Sequence, residues 1–112
     1  MLGHLLLGLD VGTTGCKATL CTEEGVIVGQ GYSEYPLIRL SEEAIEQRPE
    51  DWWDKTIQAV RLALHDAGGG GGRVAAVGVS SQGIAFVPVN AALQPLRRAL
   101  SWLDTRANEQ AQ

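Results

Sequence analysis

One short segment near the start of the chain gathers most of the side chains suited to phosphate chemistry. Residues 10–17 read Asp-Val-Gly-Thr-Thr-Gly-Cys-Lys. The glycines allow the backbone to approach a ligand closely, and the N–H groups and hydroxyls of Thr13 and Thr14 are donors for phosphate oxygens. Lys17 supplies positive charge, and Asp10 suits a hydrated Mg²⁺, which proteins bind through one or two carboxylates. These residues predict a phosphate site; the alternative is an ordinary hairpin with a polar tip and a solvated lysine.

Two common nucleotide-binding loops are excluded at this segment. A Walker A loop places its lysine directly after a glycine and continues into a helix, whereas Cys16 intervenes here and the next residues alternate as in a strand. The dinucleotide pattern G-x-G-x-x-G is also absent at this turn. Any phosphate bound here would therefore be held by a turn between two strands.

Three strands are predicted to position this turn. They are residues 5–9, 16–21 and 26–31. The first is a compact apolar run, the second alternates, and the third is rich in β-branched residues, with turn chemistry between them. The opening is therefore predicted to be a three-stranded antiparallel meander. Residues 32–48 show no clear period, and we predict an extended connection there.

A helix is predicted to begin at Pro49, because proline suits the first helical turn and acidic residues follow it. The spacing of Trp53, Ile57, Val60 and Leu64 predicts an apolar stripe that faces the sheet. Gly68 is the expected C′ residue of this helix. The glycine run at 68–72 is predicted to be a mobile loop without regular structure.

The rest of the chain is predicted as strands and a last helix. Residues 74–79 form a near-continuous apolar run, typical of a strand covered on both faces, and a polar turn follows at 80–83. Residues 84–89 and 99–103 are predicted to form two paired strands. Residues 104–112 are predicted to be helical, with Asp104 as N-cap.

Composition excludes several classes of function. The chain has 112 residues, of which 45% are hydrophobic and 20% charged, as in a single folded domain. A net charge of −4 without a basic run argues against nucleic-acid binding, and the apolar runs are too short to span a bilayer. Cys16 and Cys21 are too few for a disulfide framework or a zinc site, so reduced core thiols are expected. Without a secretion signal, the predicted location is cytoplasmic.

Four segments, in the same order, resemble motifs of the FGGY family of sugar kinases, within the actin, hexokinase and Hsp70 superfamily. They are residues 8–17, 46–53, 77–83 and 99–106. The first resembles the first phosphate motif of the family, and the second resembles its E-x-x-P-x-x-W-W segment. The third is similar to its buried strand and glutamine turn, and the fourth to its W-x-D-x-R segment. The resemblance therefore spans nearly the whole chain.

The resemblance implies a fold and a reaction. The fold is α/β and RNase H-like, as in an actin-like ATPase domain: a mixed sheet with a three-stranded antiparallel meander, followed by a helix and a parallel strand. The reaction is transfer of the ATP γ-phosphoryl group to a sugar or polyol hydroxyl, with Mg²⁺. In that scheme Asp10 acts on the metal, and Gly12, Thr13, Thr14 and Lys17 bind phosphate.

The resemblance also implies residues on the substrate side. They are Gln82, Trp102, Asp104 and Arg106. Each has an alternative: an ordinary turn glutamine, a core tryptophan, and an acid and an arginine that pair with each other or, for Asp104, cap a helix. Gly83 and Ile84 depart from the polar pairs that glycerol kinases and many xylulokinases have there. The family reading is therefore xylulokinase-like only in broad outline, without a specific sugar.

The resemblance finally implies that residues 1–112 are the first part of the N-terminal lobe, without the C-terminal lobe. The general-base aspartate is expected beyond residue 112, so the chain alone is predicted to be inactive. A non-catalytic binding or assembly module that keeps the actin-like fold is the alternative, and an ATPase acting on protein partners is a third. An uncovered edge strand and apolar surface predict self-association, with a homodimer as the simplest form.

Overall fold

The computed structural model of the protein describes residues 2–112, which form two sheets and two α-helices. The strands are β1 (Leu5–Val11), β2 (Gly15–Thr22), β3 (Ile27–Glu34), β4 (Ile38–Arg39), β5 (Ile45–Gln47), β6 (Val74–Ser81) and β7 (Ala99–Leu100). The helices are α1 (Pro49–Asp66) and α2 (Asn108–Ala111). None of the described helices is both long and apolar enough to cross a membrane.

The larger sheet has the order β3-β2-β1-β6. Neighbouring strands in the β1–β2–β3 meander are antiparallel, and β6 lies parallel to β1 after the crossover through α1. This confirms the predicted mixed α/β architecture. The strands of the meander could be predicted because alternation and turn residues are signals that extend over only a few positions.

Helix α1 begins at Pro49 as predicted, with Glu50 and Asp51 in its first turn, and Val60 and Leu64 of the predicted stripe pack against the core, but Trp53 does not. Trp53 is 68% exposed, and the buried positions are Ala59 and Ala63. A Cβ added at Gly31 of β3 would overlap the carbonyl oxygen of Ala59, so the helix backbone rests almost directly on the strand. This close approach requires small residues on both elements, and it centres the buried face of α1 on Ala59 and Ala63, directly beside the predicted stripe.

The core lies between α1 and the inner face of the meander. Its buried residues are Leu5, Leu7, Cys16, Ala18, Leu20, Tyr35, Ala59 and Ala63. Both cysteines are free thiols; Cys16 is buried as expected, whereas Cys21 is only half-buried.

Strand β6 is present where residues 74–79 predicted it, but the predicted coverage of both faces is wrong. Val77 is 55% exposed and Val79 is 66% exposed. The reason is position: β6 is the edge of the sheet, while α1 packs mainly on β2 and β3. A run of apolar residues predicts a strand, but it does not indicate which elements pack against the faces of that strand.

The second sheet is small and antiparallel, with the order β4-β5-β7. It corrects the extended connection predicted for residues 32–48, which contains the end of β3 and both β4 and β5. The strand predicted at 84–89 is reduced to isolated bridges, from Phe86 to Leu100 and from Val89 to Pro95. The strand predicted at 99–103 is only β7, and it pairs with β5.

Two further predictions on local structure are corrected. The helix predicted for 104–112 covers only Asn108–Ala111, and its N-cap residue is Ala107, so Asp104 does not cap it. The glycine run holds some regular structure, because Gly71–Arg73 form a 3₁₀ turn. Gly68 follows the C-cap residue of α1 with a φ of 77°, which confirms it as the C′ residue.

Candidate functional site

The strand ends beside the β1–β2 turn carry polar side chains on the sheet face opposite α1. Asp10 and Lys17 are directly paired across β1 and β2, and both are exposed. On the other side of β1, Ser80 of β6 is the register partner of Asp10. These three residues line an open depression of about 450 Å³. A carboxylate, a hydroxyl and an ammonium group therefore share one accessible surface.

The conformation of the turn is fixed by a hydrogen bond across it and by hydrogen bonds from Tyr35. The Gly12 N–H donates to the Gly15 carbonyl at 2.9 Å, and the Tyr35 N–H donates to the Thr14 carbonyl at 3.1 Å. The Tyr35 hydroxyl donates to the Gly12 carbonyl, and burial raises the pKa of Tyr35 to about 12, which keeps this donor protonated. Within residues 2–112, neither the Thr13 N–H nor the Thr14 N–H has a backbone acceptor.

Gln47, at the end of β5, connects this turn to the rest of the fold. Its side chain is buried, and its Nε2 donates to the Thr13 carbonyl at 2.7 Å. Its Oε1 accepts hydrogen bonds from Trp52 Nε1 at 3.2 Å and from Gln82 Nε2 at 3.0 Å. One amide thus joins the turn, helix α1 and the residue that follows β6.

Trp102 contacts the turn at Thr13, and Gln82 contacts the end of β1 at Val11. The indole Nε1 of Trp102 donates to Thr13 Oγ1 at 2.8 Å, and the Trp102 side chain is 50% exposed. The Gln82 N–H donates to the Val11 carbonyl at 2.8 Å, while its buried Oε1 has no hydrogen-bond partner among residues 2–112. Thr13, Gln82 and Trp102 line a second depression of about 290 Å³, together with Gly83 and Ile84.

Asp104 and Arg106 pair with each other, which is one of the alternatives left open by the sequence. Arg106 Nη2 lies 2.7 Å from Asp104 Oδ2, and the Ile45 N–H donates to the same carboxylate oxygen at 2.8 Å. The hydrogen bond from the Arg106 side chain is the main reason that the pKa of Asp104 falls to about 2. Both residues therefore attach the segment that carries Trp102 to β5.

Glu46, the neighbour of Gln47 on β5, is a buried carboxylate shared by three arginines. Arg97 Nη2 lies 2.6 Å from it, Arg98 Nε 2.8 Å and Arg106 Nη2 2.7 Å. Hydrogen bonds from Arg98 and Arg106 lower the pKa of Glu46, and the hydrogen bonds of Arg106 to Asp104 and then to Glu46 raise the pKa of Arg106. This cluster fixes the loop before and after β7.

Comparison with known proteins identifies the family. The model of the FGGY family of carbohydrate kinases, N-terminal domain, matches residues 5–112. The chain belongs to the FGGY family of carbohydrate kinases.

Individual relatives of this FGGY chain agree with the assignment. It is 32% identical over 106 residues to a glycerol kinase from Marinomonas sp., covering 94% of this chain and 22% of that protein. It is 30% identical over 105 residues to a xylulose kinase from Bacillus subtilis, covering 94% and 21%. The chain thus spans about a fifth of the length of these relatives.

A solved structure confirms the fold. The crystal structure of a xyloylose kinase from Brucella ovis superposes with a TM-score of 0.91 at 30% identity, covering 96% of this chain and 23% of that one. The predicted RNase H-like, actin-like architecture of sugar kinases is therefore confirmed for this FGGY chain.

The residues present suit a weakly held Mg²⁺ but not a metal cage. Residues 2–112 contain no group of three or more His, Cys, Asp or Glu side chains placed to hold a metal ion. Asp10 is a single accessible carboxylate at the end of β1. Mg²⁺ commonly takes one or two carboxylates and fills its other positions with water and phosphate oxygens, so this donor set fits.

Sequence reasoning did not single out Glu46 and Gln47 as site residues of this FGGY chain. Both stand in the segment that resembles the E-x-x-P-x-x-W-W motif, just before Pro49, and that was the available signal. Their partners lie 34 residues upstream at Thr13 and up to 60 residues downstream at Arg106, beyond the reach of local patterns.

Proposed function

We propose that this chain supplies the phosphate-binding turn and part of the acceptor site of an ATP-dependent carbohydrate kinase that is xylulokinase-like in broad outline. The reaction would transfer the γ-phosphoryl group of ATP to a sugar or polyol hydroxyl. Residues 1–112 would form the first part of the N-terminal lobe. The observation that carries the proposal is the hydrogen bond from Trp102 to Thr13, which joins the acceptor-side residue to the phosphate turn.

The phosphate turn would act by positioning and charge. Gly12 leaves room for close approach, and the Thr13 and Thr14 N–H and hydroxyl groups would donate to phosphate oxygens. Lys17 would offset negative charge, and Asp10 would hold Mg²⁺. When bound, Mg²⁺ neutralises charge that develops on the transferring phosphoryl group. Phosphoryl transfer depends mainly on such positioning and electrostatic stabilisation, which these residue types provide.

The acceptor side would be formed by Trp102 and Gln82. The half-exposed indole offers an apolar face for a sugar ring while its N–H stays committed to Thr13. Because the Gln82 Oε1 is buried and one Nε2 hydrogen is committed to Gln47, the Gln82 amide would offer its second N–H at the same depression. We propose that Asp104 and Arg106 serve this site by positioning the Trp102 segment, because their charged groups are already paired within the fold.

Magnesium pyrophosphate is the direct probe of the turn. Titrated into the ¹⁵N-labelled chain, it is expected to shift the amide signals of residues 12–17. Asp10→Asn should remove the Mg²⁺ dependence of binding and Lys17→Gln should weaken it, whereas Glu24→Gln, an exposed acid in the β2–β3 turn, should change neither. Equal binding of the magnesium complex by the Asp10→Asn variant, or shifts confined to other regions, would contradict the proposal.

Catalysis would require residues outside this chain. We expect the general-base aspartate beyond residue 112, so the 112-residue chain should turn over no substrate. A coupled assay with ATP, Mg²⁺ and a panel of ketoses and polyols should show no sugar-dependent ADP formation. Clear sugar-dependent ADP formation would show that the base lies within these residues.

A second candidate is a non-catalytic binding or assembly module that keeps this fold. It is favoured by exposed apolar side chains on and beyond β6. They include Val77, Val79, Ile84, Phe86 and Leu93. Under either function, we propose that the chain associates with itself as a homodimer, binds neither nucleic acid nor membrane, and works in the cytoplasm.

A further inference from the structure

A second concentration of positive charge lies where α1 begins. Three arginines, Arg48, Arg97 and Arg98, and one acid, Glu50, line a depression of about 380 Å³ with apolar residues between them. It shares no lining residue with the depressions beside the β1–β2 turn. The phosphate turn and the acceptor residues therefore do not account for it.

The charges around this depression are arranged asymmetrically. The Glu46 carboxylate lies beneath it with its side chain only 4% exposed, while the side chains of Arg97 and Arg98 are 45% and 43% exposed. Arg106 is also paired with Asp104, so at the depression Arg97, Arg98 and Arg48 stand against Glu46 and Glu50 and leave a surplus of one positive charge. In a chain of net charge −4, this is a local reversal of sign.

The arginines also keep unused hydrogen-bond donors. A guanidinium group has five N–H donors. Arg98 uses its Nε on Glu46, and Arg97 uses its Nε on the Arg98 carbonyl and an Nη2 hydrogen on Glu46. The Arg48 side chain makes no hydrogen bond or ion pair within residues 2–112. The free donors of three guanidinium groups suit the oxygens of a multiply charged oxyanion.

We propose that this depression binds a small, multiply charged oxyanion, from an organic phosphate or a tricarboxylate. Its volume matches a metabolite-sized ligand. Leu96 is largely exposed at the rim and would contact the carbon portion of the ligand. The positive end of the 18-residue helix α1 adds to the attraction but does not create the site, which the arginines form.

The test is a titration of the full 112-residue chain with pyrophosphate in the absence of Mg²⁺ at low ionic strength. Amide signals of Arg48, Glu50 and Asp51 and of residues 96–98 are expected to shift and saturate. Arg48→Gln should weaken binding by about three- to fivefold, and Glu50→Gln should strengthen it by a similar factor. Arg61→Gln removes the same charge from an exposed position of α1 that does not line the depression, and should leave affinity unchanged within about twofold.

Further arms separate this site from the phosphate turn and identify the ligand class. Lys17→Gln should leave the shifts at residues 48–51 and 96–98 intact, so failure of the proposed kinase function would not affect this result. Citrate in place of pyrophosphate distinguishes a tricarboxylate site from a phosphate site by which probe binds more tightly. The proposal is overturned if neither probe gives saturable shifts there, if Arg61→Gln weakens binding as much as Arg48→Gln, or if Glu50→Gln weakens it.

Discussion

Replacing Gln47 with leucine tests whether one buried amide holds the candidate site together. The substitution keeps a side chain of similar size in a position that is 1% exposed. It removes the donor to the Thr13 carbonyl and the acceptor shared by Trp52 and Gln82. Three polar groups on three separate elements thereby lose their partner at once.

The expected cost follows from those three groups. A buried donor or acceptor left without a partner costs about 1–3 kcal/mol, and the two partly buried partners should lie near the lower end. We therefore expect Gln47→Leu to reduce the free energy of unfolding by about 3–5 kcal/mol. Because small domains have only about 5–15 kcal/mol of stability, this is a large fraction of the total.

Urea unfolding followed by tryptophan fluorescence and circular dichroism measures the effect. With a slope of about 1.5 kcal/mol per molar, the unfolding midpoint should fall by about 2–3 M. The matched control is Gln30→Leu, which makes the same change at an exposed position of β3 and should shift stability by less than about 0.5 kcal/mol. Amide signals of residues 12–15 should also move in the Gln47→Leu variant and not in the control.

Two results would refute this reasoning. A loss of stability below about 1 kcal/mol would mean that water replaces the Gln47 bonds without penalty. An unchanged spectrum of the β1–β2 turn would mean that the turn is shaped by its own residues and does not depend on β5. Either result would remove the structural link between the proposed acceptor side and the proposed phosphate side.

Three further predictions concern the scaffold. Gly31→Ala should destabilise the chain by about 3 kcal/mol or more because its Cβ would overlap the α1 backbone, whereas Gly78→Ala on β6 has open space around it and should cost less than about 1 kcal/mol in thermal or urea unfolding. The lowered pKa values of Asp104 and Glu46 contribute stability that is present above their unfolded pKa values near 4 and is lost as pH falls towards 2; the urea midpoint should therefore drop across that range, and less steeply in Asp104→Asn. Val79→Lys should reduce self-association seen by size-exclusion chromatography with light scattering, because a charge on an exposed edge strand opposes strand pairing, and a wild-type chain that is strictly monomeric would contradict the expectation.

The sequence predicted the elements whose signals are local. The meander follows from alternation and turn residues within short windows, and Pro49 marks the helix start by its own chemistry. The position of the most buried face of α1 could not be predicted from local patterns in the same way. It depends on Gly31 lying under Ala59, a contact between two elements that each look ordinary alone.

The candidate site likewise contains some residues that local patterns identify and others that only the fold identifies. The clustering of Asp10, Thr13 and Lys17 could be predicted because these residues lie within eight consecutive positions of the chain. Glu46 and Gln47 were not, since a buried polar residue acquires its role from partners that only the fold supplies. Strand β6 shows the opposite kind of error. Its apolar pattern predicted that both faces are covered, but the described residues leave most of its positions exposed.

Strand β5 explains how two sets of charged and polar contacts can serve one site. Successive side chains of a strand point to opposite faces, so Glu46 and Gln47 lead in different directions from adjacent positions. Glu46 holds the arginines on either side of β7, and Gln47 holds Thr13. The hydrogen bond from Trp102 to Thr13 connects the two sets of contacts directly. Because β5 is buried at all three positions, it cannot shift to relieve strain on one face without disturbing the other, and the relative position of turn and tryptophan is thereby determined.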